Sequence, residues 1–154
     1  MTSSANTADT SGAATTRDAL AELILEQIAE AVIYANGQGE IERWNAGACA
    51  VFGFSTEEAL GRSLDLIIPE RLRAAHWRAF GAAMESGKLR LSGRPTLTRG
   101  SHKNGRKLYV EMSFALVRDA AGRSIGSVAV ARDVTERVER EKAVAAPQAR
   151  QAAS

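Results

Sequence analysis

Residues 67–87, IIPERLRAAHWRAFGAAMESG, place a histidine in a helical pattern where an apolar residue would be expected. Pro69 suits the first turn of a helix, and Gly87 suits its end. Apolar and small residues recur every three or four positions and predict one inward face, made of Leu72, His76, Ala79, Phe80 and Ala83. Trp77 is expected to point away from that face. The spacing therefore directs the imidazole of His76 toward whatever the domain encloses.

The inward imidazole of His76 needs a partner. Burying a polar group without a hydrogen bond or a metal costs about 2–7 kcal/mol. Three interpretations are open at this point: a core histidine bonded to a backbone carbonyl, a hydrogen-bonding contact to a small ligand, or an axial ligand to a metal or heme. The surrounding sequence has to decide between them.

The segments on either side of this helix have strand patterns. Residues 31–35 and 40–44 are separated by a glycine-rich break and predict a β-hairpin. Residues 89–97 predict a strand with an edge or a bulge at its proline, residues 108–117 alternate between two faces, and residues 125–131 predict a last strand. Two strands, a run of helices and three strands predict an α+β domain with an antiparallel sheet and helices on one side of it.

Short motifs place further helices between the hairpin and the His76 helix. Asn45 follows the second strand and can cap a short helix. Ser55 and Glu58 form a capping-box pattern at the start of another. Two short helices are therefore expected before residue 67.

Both ends of the chain lie outside this domain, which is assigned to residues 31–133. Residues 1–16 are small and polar and predict a disordered segment. Residues 17–30 predict an amphipathic helix, and its apolar face is formed by Leu20, Leu23, Ile24 and Ile28. Residues 134–146 predict a charged helix, followed by a polar tail over residues 147–154.

Composition excludes several classes of protein. The chain has 154 residues, 20 basic and 18 acidic, and a net charge of +2, which gives no strong case for binding nucleic acid or a membrane. The sequence contains neither a leader nor an apolar run of about 20 residues, so a cytoplasmic protein is expected. Cys49 is the single cysteine of the sequence, so an internal disulfide is ruled out. No nucleophile–base pair, phosphate loop or zinc pattern is present, and we expect no enzyme activity.

Over roughly residues 26–139 the sequence resembles a PAS domain. The motifs that carry the resemblance are Trp44-Asn45, Phe52-Gly53-Phe54-Ser55-Thr56-Glu57-Glu58, Gly61-Arg62-Ser63, Ile68-Pro69-Glu70-Arg71, Lys103-Asn104-Gly105 and Arg132-Asp133-Val134-Thr135-Glu136-Arg137. The resemblance implies a PAS fold with a five-stranded antiparallel sheet, flanking helices and a ligand cavity between them. It also implies a homodimer formed through the N-terminal and C-terminal helices, and hydrogen bonds from Asp133 and Thr135 at the junction with the outgoing helix.

Residues 69–76 resemble the run that leads to the proximal histidine of heme-binding PAS oxygen sensors. This resemblance implies that His76 binds the iron of heme b, and that the domain senses a diatomic gas or a redox state. Sensors of this kind place a distal arginine or methionine where this chain has Thr96 or Arg94. The site residues expected on these grounds are His76, Arg94, Thr96, Met112, Phe114, Leu89, Leu91, Val128 and Val130.

Two alternatives remain open, since PAS domains also hold other ligands or none. One is a small organic ligand anchored by His76 or Arg94, and the other is a cofactor-free dimerisation or interaction domain. A flavin–cysteine adduct is not expected, because Ser63 rather than cysteine follows Gly61-Arg62, and Cys49 lies too early.

No output domain follows the helix at residues 134–146, so we expect a free-standing module that acts through an unknown signalling protein, through self-association or as a ligand carrier. His102 lies in the turn beside Lys103 and is expected to be solvated.

Overall fold

The computed structural model describes residues 10–90 and 93–152. Its helices and strands, in chain order, are α1 (Thr10–Gln27), β1 (Ala31–Asn36), β2 (Ile41–Trp44), α2 (Ala46–Phe52), α3 (Thr56–Ala59), α4 (Glu70–Ser86), β3 (Thr96–Ser101), β4 (Lys107–Arg118), β5 (Ser124–Asp133) and α5 (Thr135–Ala152). A 3₁₀ turn over Leu64–Leu66 precedes α4.

The strands form one antiparallel five-stranded sheet in the order β2-β1-β5-β4-β3. The first and last strands of the chain pair at the centre, with Ile33 opposite Ala129. Helices α2, α3 and α4 all lie between β2 and β3 in the sequence. Phe52 of α2 and Val110 of the sheet belong to the same hydrophobic core. This arrangement confirms the predicted α+β class and its antiparallel sheet.

Local capping signals are confirmed at both short helices. The Asn45 side chain accepts a hydrogen bond from the Ala48 N–H at the start of α2. Ser55 and Glu58 form a reciprocal capping box at α3, where each side chain accepts from the other's backbone N–H. Both motifs satisfy N–H groups that a helix start would otherwise leave without partners.

The elements differ from the prediction at three boundaries. Helix α1 begins at Thr10, inside the segment expected to be disordered, and residues 1–9 lie outside the described residues. Helix α5 continues past Pro147, where a tail was expected. Ala13 and Ala14 lie in the first part of α1, and Ala145 and Ala146 precede Pro147; alanine is the strongest helix former. Strand β3 begins at Thr96, so the strand expected from residue 89 starts later.

Candidate functional site

The buried side of α4 is centred on aromatic residues. Trp77 and Phe80 pack against the core, and Ala83 is buried. Ala79, expected on this face, is exposed, whereas Trp77, expected to point away from it, is half-buried. Trp77 and Ala79 each fit a helical stripe with a spacing of three or four residues. Burial of the Trp77 indole removes far more apolar area from water than burial of the Ala79 methyl group.

His76 lies on the edge of this buried face. Its side chain is half-buried, and Nδ1 is buried without a hydrogen-bond partner in the part of the chain that the structure describes. The ring stands edge-on to Trp77, with centroids 4.7 Å apart and an interplanar angle of 76°, and lies 6.0 Å from the Phe80 ring. Burial lowers the pKa of His76 below its ordinary value, and the Asp65 carboxylate opposes that shift. The surroundings therefore favour a neutral imidazole, the form that ligates metals.

The sheet contributes three of the expected site residues on its inner face. Met112 is 7% exposed and belongs to the core, and Phe114 packs against that core. Thr96 is paired with Met112 across β3 and β4. Directly paired residues of an antiparallel ladder share a face, so these three side chains lie on the same side of the sheet.

Val128 and Val130 lie on the opposite face of the sheet. The register pairs Ala131 with Met112, and Ala129 is two residues earlier on that same inner face. Ala129 and Ala131 are buried in the core. Because successive strand residues alternate between faces, the two valines point outward. Val128 and Val130, expected among the site residues, therefore lie on the face of the sheet away from Met112.

The remaining expected residues precede β3. Leu89 is half-buried and lies outside any strand, and Leu91 falls outside the described residues. Arg94 is exposed, and β3 begins only at Thr96, so Arg94 does not share a regular strand with it. The structure therefore brings Thr96, but not Arg94, onto the sheet's inner face.

Asp65 is a neighbour of the site that the sequence reasoning did not identify. Its Oδ1 accepts a hydrogen bond from Trp77 Nε1 at 2.8 Å. Arg73 donates to the backbone carbonyl of Asp65 at 3.3 Å and to that of Ile68 at 3.0 Å. Arg73, Trp77 and Phe80 recur at helical spacing, and this alternative stripe was the available signal for the true inward face.

Two cavities lie away from His76. One, of about 270 Å³, opens between α1 and the β2 edge and is lined by residues that include Glu22, Leu25, Glu42, Trp44, Thr56 and Leu60. The other, of about 420 Å³, follows α5 and is lined by Arg137, Arg140, Glu141, Val144 and Ala145.

Comparison with known families identifies the fold. The family model described as the PAS fold matches residues 25–139, which is most of the chain. The chain belongs to the PAS-fold family. Two curated proteins contain a segment similar to it. The oxygen sensor protein DosP of Escherichia coli K12 is 30% identical over 111 residues, and the sensor protein FixL of Bradyrhizobium diazoefficiens is 26% identical over 103 residues.

This PAS domain spans only a small part of either relative. The matches cover 72% and 67% of this chain but 14% of DosP and 20% of FixL. Solved structures agree on the fold. A PAS domain from Colwellia psychrerythraea has a TM-score of 0.66 at 20% identity, covering 80% of this chain and 98% of that one. An RNA-binding light-oxygen-voltage receptor has a TM-score of 0.67 at 20% identity, covering 97% and 41%.

The junction motif of the PAS domain forms the hydrogen bonds that the resemblance implied. Asp133 Oδ1 accepts from the N–H and the hydroxyl of Thr135 at 2.9 and 2.6 Å. The Thr135 hydroxyl oxygen accepts from the Tyr109 N–H at 2.9 Å. These bonds connect the end of β5, the start of α5 and the middle of the sheet.

His102, in the β3–β4 hairpin of the PAS domain, makes a local hydrogen bond and packs on a neighbouring glycine. Its Nδ1 accepts a hydrogen bond from the Asn104 N–H at 3.1 Å. A Cβ on Gly53 would lie 2.4 Å from the His102 ring, so the ring packs directly on that glycine. His102 is half-buried, which corrects the expectation of a solvated side chain.

The described residues contain neither a cluster of metal ligands nor a helix that could span a membrane. Within residues 10–90 and 93–152, no cluster of three or more His, Cys, Asp or Glu side chains could hold a metal ion. In the same part of the chain, none of the helices combines the length and the apolar character needed to cross a bilayer.

Proposed function

We propose that this PAS domain binds heme b through His76 and senses a diatomic gas or a redox state. The observation that carries the proposal is the His76 ring, half-buried at the edge of the inner face of α4, whose Nδ1 has no hydrogen-bond partner within residues 10–90 and 93–152. An unpaired buried polar atom costs about 1–3 kcal/mol, so the position calls for a functional reason. The similarity to a protein named as an oxygen sensor supports the same function.

The chemistry of the His76 side chain suits this cofactor. Burial lowers the pKa of His76 and so favours the neutral imidazole, the form that would hold the iron. A heme needs only one or two protein ligands, so a three-ligand cluster is not required. Bound iron would supply the gas-binding or redox chemistry. Met112 and Phe114 would provide apolar contact, Thr96 a hydroxyl on the inner face, and Arg94 a cation for an anionic propionate. Leu89 would add an apolar contact from the segment that precedes β3.

The proposal predicts that His76→Ala abolishes stoichiometric heme binding. Removing the imidazole removes the axial ligand while leaving the apolar surroundings of α4 in place. The measurement is an absorption spectrum of the purified protein before and after addition of hemin, with heme quantified per chain. The wild type should have a Soret band that shifts on reduction and with carbon monoxide, and the variant should lack it.

His102→Gln is the matched control for this experiment, because the chain contains two histidines. It should retain the wild-type heme content. Normal heme in His76→Ala would refute the assignment. A featureless wild-type spectrum, with a small metabolite detected by mass spectrometry of the denatured protein, would support the organic-ligand function instead.

We infer that α1 joins two copies of the chain in a homodimer. Leu20, Leu23 and Ile24 are 56%, 58% and 53% exposed. An amphipathic helix gains most of its stability by packing its apolar face, and a second α1 would cover these residues. On α5, Val138 is buried but Val144 is 66% exposed, so the outer part of that helix extends the proposed contact. The signal would pass through α5 to a partner protein that remains to be identified.

The dimer prediction is tested by a Leu20→Glu/Leu23→Glu double variant. Charged side chains facing each other across the paired helices should dissociate the dimer, and light scattering after gel filtration would show half the molar mass. Leu97→Glu is the control, since Leu97 has a similar exposure of 52% but lies on β3. Dissociation by Leu97→Glu alone would place the interface on the sheet edge instead.

A further inference from the structure

The indole of Trp77 makes a hydrogen bond at one end and a close packing contact at the other. At one end Nε1 donates to Asp65 Oδ1 at 2.8 Å. At the other, the six-membered ring rests on Gly39 so closely that a Cβ at that position would lie 2.2 Å from Trp77 Cη2. Edge-to-face contact with Phe80, at a centroid distance of 5.4 Å and an angle of 76°, fixes the ring plane. This side chain has little freedom to rotate.

The fixed indole stands directly against His76. The two rings are 4.7 Å apart and nearly perpendicular. His76 Nδ1 is buried and makes no hydrogen bond to any side chain or carbonyl among the described residues. Asp65, the carboxylate whose charge acts on His76, accepts the indole N–H of Trp77. With no protein partner at Nδ1 to set its orientation, the imidazole is oriented largely by the packing of its neighbours.

We propose that Trp77, held by Asp65 and by the bare Cα of Gly39, is the positioning residue for His76. The indole takes the place of the hydrogen-bond acceptor that usually orients a ligating histidine. It fixes the plane of the imidazole by contact and keeps water away from it. The consequence for heme rests on the proposed function, but the orientation of His76 is a property of the polypeptide alone.

The test measures the accessibility of His76 in the heme-free protein with diethyl pyrocarbonate, which acylates unprotonated imidazole nitrogens. Peptide mass spectrometry gives separate rates for His76 and His102 in one sample. The reaction is run near pH 8, above the ordinary imidazole pKa of about 6.5, and burial lowers the pKa of His76 further. His102 serves as the internal reference.

The variants separate contact from hydrogen bonding. Trp77→Ala should raise the His76 rate about tenfold or more relative to His102, because the covering ring is lost. Trp77→Phe keeps an aromatic ring but loses the N–H, and Asp65→Leu removes the acceptor. Each should raise the relative rate about two- to tenfold, the range that one aromatic contact is worth. Asp65→Asn keeps an acceptor oxygen and should resemble the wild type.

An unchanged ratio of His76 to His102 rates in both Trp77→Phe and Asp65→Leu would overturn the proposal. An equal rise at both histidines would also overturn it, because that result indicates a general loosening of the fold. Hemin titration forms a second readout, in which Trp77→Phe should weaken binding severalfold. If the wild type binds no hemin, the proposed function fails, and the acylation rates still decide whether Trp77 positions His76.

Discussion

An Asn45→Ala variant is expected to unfold with a free energy about 3–5 kcal/mol below that of the wild type. Asn45 is 4% exposed, and its Oδ1 accepts from the N–H groups of Val32 and Ala48 at 2.8 and 2.9 Å. Its Nδ2 donates to three backbone carbonyls in residues 25–30 at 2.8–3.1 Å. Truncation leaves a buried strand N–H unpaired, removes an N-cap and releases the end of α1. Urea unfolding measures the loss.

Two further asparagine variants define what Asn45 contributes. Asn104→Ala removes a side chain whose Oδ1 accepts from the Arg106 N–H, but this residue is exposed, so water replaces the bond and the cost should be below about 1 kcal/mol. Asn45→Asp keeps the acceptor oxygen but sets a second oxygen against the carbonyls. It should also destabilise the protein. A wild-type free energy in Asn45→Asp would show that the three donated bonds contribute little.

The fold was largely predictable because its signals are local. The break at Asn36–Gly39 defines the first hairpin, and the alternation in residues 108–117 defines the long strand. Asn45 was recognised as a helix cap, since capping depends on residues three positions apart. Its bonds to residues 25–30 were not predictable, because they depend on where α1 meets the sheet.

The candidate site was predictable only in part, since the face on which a side chain is buried depends on tertiary contacts. Val128 and Val130 alternate with Ala129 and Ala131, and both sets are apolar, so a period of two could not identify the inner face. Trp77 and Ala79 fit equally spaced helical stripes. The indole of Trp77 has the larger apolar area, and its N–H also bonds Asp65 in the preceding 3₁₀ turn, a contact that no sequence pattern predicts.

A Gly47→Ala variant is expected to lose about 3 kcal/mol or more of its free energy of unfolding. In α2, a Cβ at this position would lie 2.1 Å from the Glu30 carbonyl oxygen and 2.6 Å from that of Ala29. Both are backbone atoms, so the connection between α1 and β1 has to move. The gain in helix propensity from alanine, about 0.5–1 kcal/mol, is too small to offset this clash. Thermal or urea unfolding gives the difference.

Gly81→Ala is the matched control, since it also replaces a helical glycine by alanine but should raise the free energy of unfolding. A Cβ there would meet nothing within 4 Å, and Gly81 is exposed in α4, so this variant should gain about 0.5–1 kcal/mol. A Gly47→Ala variant as stable as Gly81→Ala would contradict the close packing at Glu30. The Glu30 carbonyl also accepts from Asn45 Nδ2 at 3.0 Å. The Asn45→Ala/Gly47→Ala double variant should therefore lose less than the sum of the single losses, because displacing Glu30 already breaks one of the bonds that Asn45 makes.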